Sequence, residues 1–313
     1  MIRYFNRQTK ELENETVYGG QFVSWAYETR LGRVLTRALF SKRGTSRLMG
    51  AYENSKLSVR QIAPFVKAYG IKLSDFETRD YASFNEFFVR KFKDGVRPFS
   101  KSETEFSAGA EARYLAFQDL KIHQRFSVKG FDLDLGALLK NKELGEKYEG
   151  GTFLLARLCP VDYHRFHFPV SGSITSHYRV PGTLHSVNPI VFTAEPEVFF
   201  KNEREVTLLN TAHFGTVAMI EVGALGVGKI VQSHYSNRRP LPHKFEKGQE
   251  KGYFLFGGST VIWLIEKGKI KLCPDLIQYS LKGIETWVPL GELLGEASPG
   301  SNRASSANSE RTL

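Results

Sequence analysis

The spacing of apolar positions changes character along this chain. Within residues 21–40, Leu31, Val34, Leu35, Ala38 and Leu39 recur at helical intervals. Phe22, Trp25 and Ala26 precede them, and Arg30, Arg33 and Arg37 fall on another side of the same predicted helix. Ser74 or Asp75 is placed to cap a short turn. Ser83 stands before FNEFFVRKF with Glu86 three residues on, the spacing of a capping box. Phe84, Phe87, Phe88 and Lys91 share one helical face there, with the phenylalanines directed at a core, and Gly95 and Pro98 end the segment. Residues 1–95 are therefore expected to be mainly helical.

From Glu105 the pattern shortens into β-prone runs separated by glycine, proline and charge. They are Gly151–Leu158, Ser173–Arg179, Val206–Leu209, Val217–Val222, Lys229–Ser233, Phe254–Leu264 and Lys269–Leu272. A helix or two is expected near Leu133–Tyr148. Few helices of crossover length separate the runs, which disfavours a parallel, Rossmann-like sheet. The expected class is α+β: a helical N-terminal region, membrane-facing on the argument below, and a predominantly antiparallel β catalytic body over residues 96–296. The tail at 297–313, ASPGSNRASSANSERTL, is small and polar, and is expected to be disordered.

Composition narrows the class. A chain of 313 residues with 41% hydrophobic and 24% charged residues can bury a sizeable core. Its two cysteines, Cys159 and Cys273, make neither a disulfide framework nor a thiolate metal site, and read as reduced, buried thiols. The start lacks the apolar core of a signal peptide, and no apolar run approaches the length of a membrane span. A soluble or peripheral protein is expected. The net charge is +10, and residues 1–60 hold eleven Lys or Arg against five acids. Joined to the amphipathic pattern at 21–40, that excess points to an anionic membrane surface, where arginines meet lipid phosphates. An ordinary surface helix is the plainer alternative. No nucleic-acid-binding module is recognisable, so no nucleic-acid partner is expected.

Two segments carry candidate chemistry. In FLFGGSTVIWL, Phe254–Leu264, Gly257 and Gly258 permit backbone conformations that larger residues resist, and Ser259 follows directly. A hydroxyl held against the Gly258 carbonyl can attack its own backbone; the alternative is a β-bulge or bend in a buried strand. In PVDYHRFHFPVSG, Asp162, His164 and His167 lie within six residues. The two imidazoles would sit on opposite sides of an ideal strand, or on one face of a helical turn. General acid–base catalysis, structural hydrogen bonding and metal ligation are all open to such a pair, although no further metal ligands are defined. Asp162 reads as a residue that orients the loop or a histidine.

Taken with FNEFFVRKFKDGVRP (Phe84–Pro98), GTLHSVNP (Gly182–Pro189) and EKGYFLFGGST (Glu250–Thr260), these segments resemble the phosphatidylserine decarboxylases, in the family's order and over about Arg3–Leu294. The resemblance implies self-cleavage between Gly258 and Ser259 into a β chain, 1–258, and an α chain, 259–313. It implies a covalent pyruvoyl cofactor made from Ser259, which forms a Schiff base with phosphatidylserine and yields phosphatidylethanolamine. By the same likeness His167 activates Ser259 and His164 serves decarboxylation or protonation. Gly182, Leu184, Val187, Asn188 and Pro189 match a segment near the site. A homodimer, peripheral on the cytoplasmic side of the cell membrane, and no resident metal are also implied. No substrate-binding residue is assigned.

One element departs from the family. Its members carry an aspartate in a Ser/Thr-Pro-x-Asp-Gly stretch, where this chain has SAGAEAR, Ser107–Arg113. Registering on Tyr114–Phe117 places Glu111 at that position, while counting from Ser107 places Ala110 there; the former avoids a gap. Glu111 is thus the candidate partner of His167, with a surface carboxylate as the alternative. The extra methylene leaves room for a second reading, a lipid-binding relative that does not process itself. A serine hydrolase using Ser259 and His167 directly lacks the nucleophile-elbow pattern.

Overall fold

A computed structural model describes residues 3–15, 50–121, 123–126, 131–183, 198–223, 230–233, 241, 243–256 and 259–299. The amphipathic pattern at 21–40, Leu184–Pro189, Gly257, Gly258 and the tail from residue 300 lie outside the described residues.

The β-prone runs assemble into a ten-stranded sheet and smaller sheets. In spatial order the large sheet comprises His243–Phe245, Gly172–Val180, Arg204–Thr211, Gly215–Val222, Ser259–Ile265, Thr152–Leu158, Ala112–Phe117, Glu285–Val288, Arg3–Asn6 and Glu11–Asn14. Its named strand pairings are antiparallel except Arg3–Asn6 with Glu285–Val288. The expected antiparallel body is present. Helices Leu135–Leu139 and Lys142–Lys147 form where one or two were expected, each opened by a side-chain cap from Asp134 or Asn141.

Burial on both faces explains why VIWLI reads as an unbroken apolar run. Val261, Trp263 and Ile265 join one core with Phe106, Phe166 and Phe254 of the smaller sheets. Ile262 and Leu264 join a second core with Leu135, Leu138 and Leu139 on the opposite face. The run expected as one strand over Phe254–Leu264 is two. Glu250–Phe254 belongs to a three-stranded sheet with Ile230–Gln232 and Arg165–His167, and the chain enters the large sheet at Ser259.

The N-terminal region is helical only in part. Lys56–Gln61, Ile62–Tyr69, Leu73–Asp75 and Phe84–Phe88 are short helical elements. Residues 3–14, by contrast, form a hairpin on the edge of the large sheet. The sheet's edge supplies ladder partners that no local helix could match, and Phe5 stacks on Tyr279 at 4.1 Å. The capping box is shifted by one residue: Ser83 Oγ accepts from Glu86 N, but the Glu86 carboxylate accepts from Ala82 N. The FNEFF helix stops at Phe88, leaving Lys91 outside it with its carbonyl bonded by Glu77 N. Phe84, Phe87 and Phe88 do bury, against Phe65 and Phe256. No helix among the described residues is long and apolar enough to cross a membrane.

Candidate active site

Ser259 is the first residue of its strand and faces Leu158 across the ladder. Strand alternation puts its side chain on the face of Val261 and Trp263. Its Oγ is buried and has no hydrogen-bond partner among the described residues, a state shared by neighbouring Thr260 Oγ1. Neither imidazole is hydrogen-bonded to Ser259 in this state. Ahead of the serine, Phe256 N donates to Asn85 Oδ1 at 2.7 Å, and the Phe256 ring packs on Phe84 and Phe88.

After Leu158 the chain turns through Cys159–Asp162. Asp162 N donates to Cys159 O, and Cys159 N to Asp162 Oδ2, so the aspartate closes its own turn. Arg113 Nη1 and Trp287 Nε1 also donate to that carboxylate. Asp162 therefore orients the loop, one of its two expected uses. His164 follows, fully enclosed, its ring 3.9 Å from Phe88 and its carbonyl accepting from Phe254 N. His164 Nδ1 lies 3.0 Å from Asp162 O. A carbonyl only accepts, so Nδ1 carries the proton and the neutral ring keeps its lone pair on Nε2.

His167 has the same tautomer by a different route. Its Nδ1 donates to Gly248 O at 2.8 Å, and Tyr163 OH lies 3.4 Å from its Nε2. Its main-chain N donates to Gly109 O at 2.7 Å. Both glycines are required by close approach: a Cβ on Gly109 would stand 2.6 Å from His167 O, and one on Gly248, at φ +80, 2.9 Å from the Phe99 ring. The SAGAEAR segment thus reaches His167 through the backbone of Gly109.

Glu111 is brought near but is committed elsewhere. Arg97 donates to both its oxygens, at 2.6 and 3.3 Å, and Leu290 N donates at 3.4 Å. Its carboxyl is buried, not a solvated surface group, and burial pushes its pKa above the ordinary range despite Arg97. The carboxylate across the ladder from His167 is Glu250. Glu250 takes two bonds from Arg165 Nη1 and one from Ser233 Oγ. Burial opposes its ionisation, but Ser233, Arg165 and the nearby His167 together hold its carboxyl below the usual value. Asn85, Tyr163, Gly248 and Glu250 carry no local sequence signal for these contacts, which arise between distant elements. Among the described residues no cluster of three or more His, Cys, Asp and Glu is arranged to hold a metal ion.

A family model described as phosphatidylserine decarboxylase matches residues 84–285, a span that includes both histidines and Ser259. The chain belongs to the phosphatidylserine decarboxylase family. Among its relatives are proteins named phosphatidylserine decarboxylase proenzyme from three bacteria. That of Clostridium novyi (strain NT) is 39% identical over 94% of this chain and 99% of its own length. The relative in Ruminiclostridium cellulolyticum is 38% identical, covering 94% of this chain and 97% of its own. The Desulfitobacterium hafniense (strain DSM 10664 / DCB-2) protein is also 38% identical, over 94% and 98%. In this decarboxylase the match extends across the sheet crossing that leads to Ser259.

Proposed function

We infer that this chain is a proenzyme that cleaves itself between Gly258 and Ser259 and then decarboxylates phosphatidylserine to phosphatidylethanolamine. The observation that carries the reading is a buried serine hydroxyl without a partner, placed where the chain passes from one sheet to another. A hydroxyl left so is costly to bury, and self-cleavage removes it, because its oxygen leaves on the Gly258 carboxylate and the side chain becomes a methyl beside the new ketone, so the position fits a pyruvoyl group. Ser259 Oγ adds to the Gly258 carbonyl and the peptide C–N bond gives way to an ester. Loss of the Ser259 α-proton then expels the Gly258 carboxylate; hydrolysis of the resulting enamine, through its imine, releases ammonia. A pyruvoyl group there supplies a ketone that captures the substrate amine and an electron sink for the pair left by CO₂.

The residues divide the remaining work. His167 Nε2, which carries the lone pair in the tautomer the Nδ1–Gly248 bond selects, takes the Ser259 hydroxyl proton once the two come into reach. His164, walled by Phe88, returns a proton to the substrate α-carbon. Glu111 acts by fixing the loop that presents Gly109 to His167. The helical region faces an anionic membrane on the cytoplasmic side, and the mature α and β chains assemble as a homodimer. Exposed Leu57 and Leu73 support the membrane reading, as does a cavity of about 640 Å³ lined by Ile62, Val66, Lys67 and Arg79. Binding to anionic vesicles should fall at high salt.

Denaturing mass spectrometry should find a chain ending at Gly258 and one beginning with pyruvoyl at 259, and the preparation should release CO₂ from phosphatidylserine vesicles. A persistently intact 35.4 kDa chain without CO₂ release would instead establish the second reading, a non-processing lipid-binding relative. The commitment of Glu111 to Arg97 is what favours that alternative. Glu111→Asp distinguishes them further: faster maturation supports the self-processing reading.

A further inference from the structure

The reactive link is flanked by two fixed points of different origin. On one side Ser259 is held in the large sheet against Leu158. On the other, Phe256 has left the small sheet, whose strand ended at Phe254, and its N–H is taken by a side chain instead of a ladder. That side chain is Asn85, buried on the FNEFF helix, with its Nδ2 donating to Asn54 Oδ1 at 3.2 Å. The helix is itself tied down: Phe84 N donates to Ser58 Oγ at 2.8 Å. Only Gly257 and Gly258 separate the two fixed points in sequence, and glycines alone would leave the link many conformations.

We propose that Asn85 is a positioning residue for self-cleavage, holding the Phe256 amide so that the Gly258 carbonyl stays within reach of the Ser259 hydroxyl. This rests on the self-processing reading above. The reaction needs the attacking oxygen and the carbonyl carbon aligned, and small misplacements there lower rates steeply. Asn85 touches neither reacting atom. It removes freedom from the segment that carries one of them. After cleavage Asn85 and Phe256 remain in the same β chain, so the clamp itself is not cut.

The test follows maturation of the freshly synthesised full-length chain by pulse–chase, with intact mass and thermal melting read on the same variants. Asn85→Ala and Asn85→Leu, which lack the acceptor, should cleave about 10-fold or more slowly. Their uncleaved chains should resist hydroxylamine, which cuts an ester but not an amide. Asn85→Asp keeps an acceptor for Phe256 but loses the donor to Asn54, whose own Nδ2 is held by Gly50 O, so cleavage should be faster than in Asn85→Ala and Asn85→Leu without reaching the wild-type rate. Ser58→Ala loosens the same helix while leaving the Asn85 acceptor in place, and should lower the melting temperature while slowing cleavage less than Asn85→Ala does. Wild-type cleavage in Asn85→Leu, or slowing in Ser58→Ala equal to that in Asn85→Ala, overturns the proposal and leaves self-processing standing. An intact wild-type chain overturns both.

Discussion

The two faces of the central sheet meet the site with opposite chemistry. At Ser259 the face is apolar, shared with Val261 and Trp263 of the same strand. One residue on, Thr260 lies opposite Arg157, and the other face holds a buried ion network. There Arg157 binds Glu15 and Glu285, while Arg113 binds Asp162 and lies 3.2 Å from Glu15. Cys159 Sγ completes it by accepting from Arg157 and donating to Glu15, and burial pushes this thiol's pKa well up, so it stays a thiol. Asp162 belongs to both regions, because the turn it closes presents His164. The difference teaches that charge braces the turn that presents His164, whereas the Ser259 side of the same strand is filled by apolar packing.

The sharpest break of this contrast is Ser259→Ala, which should leave an intact chain with no CO₂ release; cleavage at the same link would remove the serine from the chemistry. On the braced face, Arg157→Met strands two buried carboxylates and should cost about 3–5 kcal/mol, measured by denaturant unfolding. A loss no larger than that of a surface substitution would show the network to be dispensable. Next in size are the histidines. His167→Ala should slow cleavage by about 10²-fold or more, whereas His164→Ala should cleave and then decarboxylate about 10²-fold slower. Equal effects of both on cleavage would erase the distinction between them.

The smallest effect concerns acid. Burial opposes ionisation of Glu15, but Arg157 and Arg113 outweigh it and hold its carboxyl below the ordinary 4.5. A lowered pKa stabilises the fold fully above about pH 4.5, and that contribution is lost as pH falls through the folded value. Glu15→Gln should therefore melt lower at neutral pH and lose less on acidification from about pH 5 to 3. Parallel melting curves for the two proteins would mean that Glu15 does not share in the acid response.

Much of the body was legible because strand formation leaves a local trace. The VIWLI run, most of the β-prone segments between Gly151 and Leu272 and the two short helices before Tyr148 fall where the sequence put them. The candidates Ser259, His164 and His167 were found in the same way, as residue types in a recognisable order. The N-terminal hairpin was missed because RYFN and ELEN become strands only beside the edge Glu285–Val288 offers. The break within Phe254–Leu264 escaped because composition does not say which sheet a strand joins.

The sequence by itself determined the candidate serine, the imidazole pair, the antiparallel body and the family, since each depends on residue identity and spacing over a few positions. Tertiary structure alone decided that Glu111 is paired with Arg97, that Glu250 is the carboxylate across from His167, and that Asn85 accepts from Phe256 N. Those partners lie 14, 83 and 171 residues apart in pairing with Glu111, His167 and Phe256. Hydrogen bonds and ion pairs act over about 3 Å, so which groups they join is fixed by strand register and sheet packing rather than by neighbours along the chain.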